Sequence, residues 1–158
     1  MEEIRFDDIA KLSAHVSEEF GDWGPEVPVT QEMINQFADL TGDHQWIHVD
    51  VERCKRESPF KGPIAHGFLT LSLIPGLRPK QNFKIIGYSN ATNYGADKLR
   101  FVSPVPAGAT VHARSRLVAA DPKPKGTQIT QEIAVHVVGN DRPALTYTML
   151  VLYHPAVK

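Results

Sequence analysis

Hydrophobic positions follow two rules along this chain, one in each half. In the first half they recur at helical spacing. QEMINQFADL sets Met33, Ile34, Phe37 and Leu40 behind Thr30, a residue suited to capping, and predicts a helix that stops near Gly42. VDVERCKRES follows as a short polar helix and SPFKGP as a turn rich in Pro and Gly. Residues 65 to 77, AHGFLTLSLIPGL, are apolar on nearly every side, which predicts a helix buried all round and ended by Pro75 and Gly76. From about residue 84 the rule changes to alternation with β-branched residues, in VHARSRLVAA, ITQEIAVHVV and ALTYTMLVLY. These read as strands, with turns at VPAG (105 to 108) and GNDRP (139 to 143).

Helices first and a meander of antiparallel strands after them is an α+β order. In ITQEIAVHVV the residues Ile129, Ile133, Val135 and Val137 share one face, interrupted by Gln131, while Thr130, Glu132 and His136 share the other. The apolar face needs a cover, and only the 65 to 77 helix is hydrophobic enough to supply it. A long antiparallel sheet wrapped around one buried helix is the hot-dog fold. Its 158 residues fit one domain, 1 to 158, with 1 to 25 peripheral, and a chain of this size buries roughly two thirds of its surface.

Composition narrows the setting. One cysteine, Cys54, allows no intrachain disulfide, and no apolar run approaches the roughly 20 residues that cross a membrane. The start, MEEIRFDDIAKLSAHV, is acidic and lacks the basic and apolar blocks of a secretory signal, so the expected location is cytoplasmic. Seventeen basic and 18 acidic side chains leave a net charge of −1, which excludes a field that would draw nucleic acid. Local basic groups at 78 to 84, 98 to 100, 112 to 116 and 123 to 125 are enough for a phosphorylated small ligand or for a solvated face.

The chemistry concentrates at residues 41 to 50, TGDHQWIHVD, where Asp43, His44, His48 and Asp50 surround Trp46 and Ile47. Asp43 and His48 lie five residues apart, about 140° on a regular helix, so they converge only if the chain turns after Gly42. An acid/base pair made that way needs no metal. A metal reading would use His44 and His48 at i, i+4 with Asp43 or Asp50, but Gly42, Ile47 and Val49 weaken the helix that geometry requires. A bland alternative makes His48 a satisfied core histidine. Cys54 has no histidine at useful spacing for nucleophilic catalysis.

TGDHQWIHVD followed by SPFKGPIAHGFLTLSLIP resembles the paired motifs of the MaoC-like dehydratases, the R-specific enoyl-CoA hydratases. The likeness extends through YGADKLRFVSPVPAGATV, covers most of residues 30 to 153 and is nearest to the nodulation protein N-like branch. It implies that Asp43 and His48 are catalytic, holding a water that adds across the double bond of a trans-2-enoyl thioester, with dehydration as the reverse. It implies that the Gly67 backbone N–H is the oxyanion donor at the start of the central helix, that His66 orients the site, and that Asn93 and Tyr94 lie close by. Asp43 must stay ionised, so donors are expected around Gly42.

Two positions depart from the family pattern. Gln45 and Trp46 replace Asn and Pro, which suggests either a narrowed acyl tunnel or a Trp46 packed in the core. Pro75 stands where some members carry a serine, so a supporting hydroxyl would come from Ser72, Thr70 or Tyr94. The implied protein is a homodimer without metal or other cofactor, acting in fatty-acid metabolism on an acyl-CoA or acyl-carrier-protein thioester. Lys80, Lys84, Lys98 or Arg100 would meet the CoA phosphates. The competing functions are a hot-dog thioesterase and a non-catalytic acyl-thioester-binding accessory protein.

Overall fold

A computed structural model gives the structure of residues 1–156. The first half holds β1 (Glu2–Arg5), α1 (Ile9–Ala14), β2 (Val27–Pro28), α2 (Gln31–Thr41), α3 (Trp46–Val49), α4 (Val51–Glu57), α5 (Gly67–Ser72) and α6 (Ile74–Leu77). The second holds β3 (Phe83–Ile86), β4 (Asn90–Phe101), β5 (Thr110–Lys123), β6 (Gly126–Val137) and β7 (Leu145–His154). Five strands form one antiparallel sheet in the order β2-β5-β6-β7-β4, and β1 pairs in parallel with β3. This is the α+β hot-dog fold.

Alternation explains why the sheet curls around the helix. Ala113, Val135 and Leu145 stand in register across β5, β6 and β7, fully or almost fully buried, and their inner face receives Leu69, Ile74 and Leu77. Leu77 is fully buried, and cutting such a side chain to Ala costs about 2–5 kcal/mol. A second core gathers Leu117 and Ile129 with Phe83 and Ile85, and residues 1–25, expected at the periphery, contribute Ile4, Phe6 and Leu12 to it.

The central helix departs from its prediction. It is two short turns of helix joined at Leu73, and Phe68, Ser72, Pro75 and Gly76 are exposed. The sheet reaches only one side of it, so an apolar sequence does not guarantee burial all round. The outer face of β6 also differs: Thr130 and His136 are buried, and Trp23 stacks on His112 at 3.7 Å and meets His136 edge-on at 5.0 Å.

The two edges of the large sheet are treated differently. On the β5 side, Ser17, Gly21 and Gly24 donate backbone N–H groups to Leu117, Ser115 and Ala113, which closes that edge irregularly before β2 takes over. On the other side β4 is a 12-residue strand, exposed along most of its length. Asn93 and Tyr94 lie inside it, at a register shift. Among the described residues no helix is long and apolar enough to cross a membrane.

Candidate active site

Two loops clasp each other beneath the start of α5. Thr30 caps α2 by accepting from the Met33 N–H, and Gly42 ends it at φ 79°, a left-handed conformation that suits glycine. The chain then turns, as the Asp43–His48 spacing requires, and the Gln45 N–H donates to Asp43 Oδ1 at 3.3 Å. One turn of α3 carries His48 inward to 7% exposure. Asp50 caps α4 by accepting from the Arg53 N–H.

The clasp is reciprocal. His48 Nδ1 lies 2.7 Å from the Ile64 carbonyl, and His66 Nε2 lies 2.9 Å from the Asp43 carbonyl. A carbonyl oxygen can only accept, so each of these nitrogens carries the proton. In the neutral rings His48 Nε2 and His66 Nδ1 therefore keep their lone pairs. Among the described residues His66 Nδ1 is buried without a partner. The two rings stack at 3.9 Å, and Phe37 packs against His66 at 5.0 Å.

Asp43, His48 and His66 each bring one potential ligand atom to within 4.8 Å of the others. They share a cavity of about 460 Å³ with Phe37, Thr41, Gly67, Phe68 and Ser72. Burial pushes the His48 imidazole below its ordinary value, outweighing the Ile64 carbonyl that works the other way. His48 is thus neutral near pH 7 and Nε2 is an acceptor. An acceptor-only cradle of imidazole and carboxylate suits a water that donates to both.

Gly67 opens α5, where the first N–H groups have no partner within a helix. A Cβ there would lie 2.7 Å from the Phe101 ring, so the absent side chain makes room for β4 as well as for a ligand. Phe101 in turn meets Phe68, which lines the cavity, at 5.5 Å.

Other candidate residues stand elsewhere. Gln45 is exposed and serves Asp43 through its backbone, while Trp46 lies half-buried under the Arg53 guanidinium at 4.2 Å; neither lines the cavity. His44 pairs with Asp39 at 2.9 Å on the surface, so the His44–His48 ligand pair does not assemble. Thr70 is buried with its hydroxyl toward the His66 carbonyl, and Ser72 borders the cavity but donates to the Phe68 carbonyl. Tyr94 is 64% exposed on β4, and Asn93 lines a different cavity. Burial raises the Cys54 thiol, which disfavours the thiolate that nucleophilic chemistry needs. The Ile64 carbonyl, Phe37 and Phe101 were not anticipated. A backbone carbonyl leaves no mark in sequence, and only the YGADKLRF likeness pointed toward Phe101.

A family description of MaoC-like domains matches residues 15–140. The chain belongs to the MaoC-like dehydratase family. This MaoC-like protein is 46% identical over 151 residues to 3-hydroxyacyl-thioester dehydratase Z of Mycobacterium tuberculosis, covering 94% of this chain and 97% of that one. It is 41% identical over 143 residues to nodulation protein N of Rhizobium leguminosarum bv. viciae, covering 87% and 86%. Among solved structures it superposes on the (R)-hydratase from A. caviae involved in PHA biosynthesis with a TM-score of 0.66 at 26% identity, covering 86% of this chain and 97% of that one. The MaoC-like protein is accordingly an enzyme of the hydro-lyase class, a hydratase/dehydratase.

Proposed function

We propose that this enzyme is an R-specific enoyl-CoA hydratase, adding water to trans-2-enoyl-CoA to give (R)-3-hydroxyacyl-CoA, and catalysing the reverse dehydration. The observation that carries the reading is the acceptor-only pair at the cavity: the Asp43 carboxylate beside a His48 ring whose Nδ1 proton is fixed on Ile64. A water between them donates one O–H to each and turns its oxygen toward C3 of the substrate. As the C3–O bond forms, one water proton passes to the pair, and C2 receives one from it, so the two groups finish in their starting state. Negative charge gathers meanwhile on the thioester oxygen. The Gly67 N–H, free of a helical partner, is the donor for it.

The resemblance to dehydratase Z and to the (R)-hydratase supports a thioester substrate and the stereochemistry. His66 acts as a positioning residue through its bond to the Asp43 carbonyl. For the phosphates of CoA, Lys98 and Arg100 stand near the end of β4 that delivers Phe101 to Gly67. Lys80 and Lys84 line a cavity with Tyr88, which precedes the opposite end of that strand, roughly 30 Å away over ten residues. The exposed β4 edge and the exposed Phe68 face support a homodimer that covers both. The enzyme needs neither metal nor other cofactor, and we place it in the cytoplasm.

The test is loss of enoyl absorbance with crotonyl-CoA and longer enoyl-CoAs, with chiral analysis of the product. The expected result is hydration to the R-alcohol, reduced about 10²–10⁴-fold in Asp43→Asn. A wild type inert on every chain length, or an Asp43→Asn variant with full activity, would sink the proposal.

A further inference from the structure

The sequence interrupts its best apolar strand face once, at Gln131, and the proposed hydration does not use that residue. Gln131 is 9% exposed and stands in register between Leu117 and Met149; Ser115, 4% exposed, pairs with Ile133 one step along the same face. Neither side chain makes a hydrogen bond among the described residues. Both line a cavity of about 230 Å³ with Ile74, Ile133 and Met149 as apolar walls and Arg78, Gln81 and the exposed Asn93 as further polar ones. Both residues are buried, yet neither side chain is among those whose polar atoms are sealed off without a partner, so the amide and the hydroxyl open onto the cavity, where a ligand that displaces water must satisfy them.

This cavity and the one at Asp43 lie along one face of the central helix. Phe68 and Ser72 border the first and Pro75 the second, at i, i+4 and i+7. From Gly67 to Pro75 is eight residues, about 12 Å of helix. An extended acyl chain covers that in roughly nine carbons, since ~1.5 Å bonds in zigzag advance about 1.3 Å each. We infer that the second cavity takes the far end of a medium-length acyl chain and that Gln131 and Ser115 select chains bearing a hydroxyl or other neutral oxygen group there. The inference rests on the hydratase reading for where the thioester sits. Gln131 and Ser115 are specificity-determining residues, remote from the reacting atoms. Each can donate and accept, so a hydroxyl satisfies both, whereas a plain methyl end leaves them unpaired.

The experiment compares kcat/KM on 10-hydroxy-trans-2-decenoyl-CoA with that on trans-2-decenoyl-CoA, in the wild type, Gln131→Leu and Ser115→Ala. The wild type is expected to prefer the hydroxylated chain about tenfold, and Gln131→Leu to invert that preference, with Ser115→Ala between them. Leucine continues the apolar alternation of β6, and Ser115→Ala gives an independent reading if Gln131→Leu misfolds. A wild-type ratio of one or less, or a ratio that survives both substitutions, would overturn the inference. Calorimetric Kd values for 10-hydroxydecanoyl-CoA and decanoyl-CoA should show the same preference without any turnover. If no enoyl-CoA is hydrated, the hydratase reading falls, while the Kd ratio still decides the pocket.

Discussion

Replacing His48 with alanine separates the chemical role of this residue from its structural one. The substitution removes the Nε2 acceptor at the cavity and the Nδ1–H that occupies the Ile64 carbonyl at 2.7 Å. Loss of a positioned proton acceptor should lower kcat about 10²–10⁴-fold, or roughly 3–5 kcal/mol in the barrier at 1.36 kcal/mol per decade. The stability term is smaller. Ile64 loses one partner for its carbonyl, a cost of about 1–3 kcal/mol if nothing replaces it, and the open cavity lets water in to recover part of that. A net loss near 2 kcal/mol would lower Tm by about 4–8 °C for a domain of this size. The pH profile adds a second signature. Burial holds His48 below its usual range, so wild-type kcat/KM should rise with pH on a limb centred below about 6.5, as the ring loses its proton, and His48→Ala should lack that limb. Stopped assays of enoyl consumption, with circular dichroism on the same preparation, read both quantities. A folded variant that keeps more than a tenth of wild-type activity, or one that retains the limb, would refute the assignment of His48 as the acceptor.

Gly67→Ala keeps the backbone N–H but puts a Cβ 2.7 Å from the Phe101 ring, which is 47% exposed and able to swing out, so the melting temperature should fall little while the crowded thioester is displaced and hydration drops about a hundredfold; unchanged turnover would show that the thioester does not pass against Gly67. EDTA should leave activity intact, whereas added Zn²⁺ should inhibit reversibly by taking the place of the water among Asp43, His48 and His66, and zinc-dependent activity after dialysis would contradict the metal-free reading. Stability should fall as pH drops. Burial lowers both His48 and His112, so the unfolded chain takes up protons first; the stabilisation is complete above about 6.5 and is lost as pH falls through the folded values. Thermal melts between pH 5 and 8 check this, and His112→Phe, which preserves the stack on Trp23, should flatten the slope.

Much of this protein is written in local periodicity. Thr30 and Gly42 bracket α2 because a cap and a left-handed residue act over a few positions, and alternation in β5, β6 and β7 fixes which side chains face the helix. The five-residue gap from Asp43 to His48, with glycine before it, already required a turn. What the sequence left open depends on who stands opposite whom. The apolar run at 65 to 77 reads the same whether one side or all sides are covered, and only the reach of the sheet exposes Phe68. Trp46 is equally suited to a tunnel wall or to a cation partner, and Arg53 decides it. His66 becomes part of the site through the Asp43 carbonyl, a contact across 23 positions made by a backbone atom that every residue possesses. Gln131 breaks an alternation visible to any reader, yet its meaning comes from Ser115 on the next strand and a cavity at the far end of the helix. Sequence thus determined the elements and the turn between Asp43 and His48, because those follow from spacing along one chain. Tertiary structure decided tautomer, exposure and the walls of the cavities, because each depends on atoms brought together from distant positions.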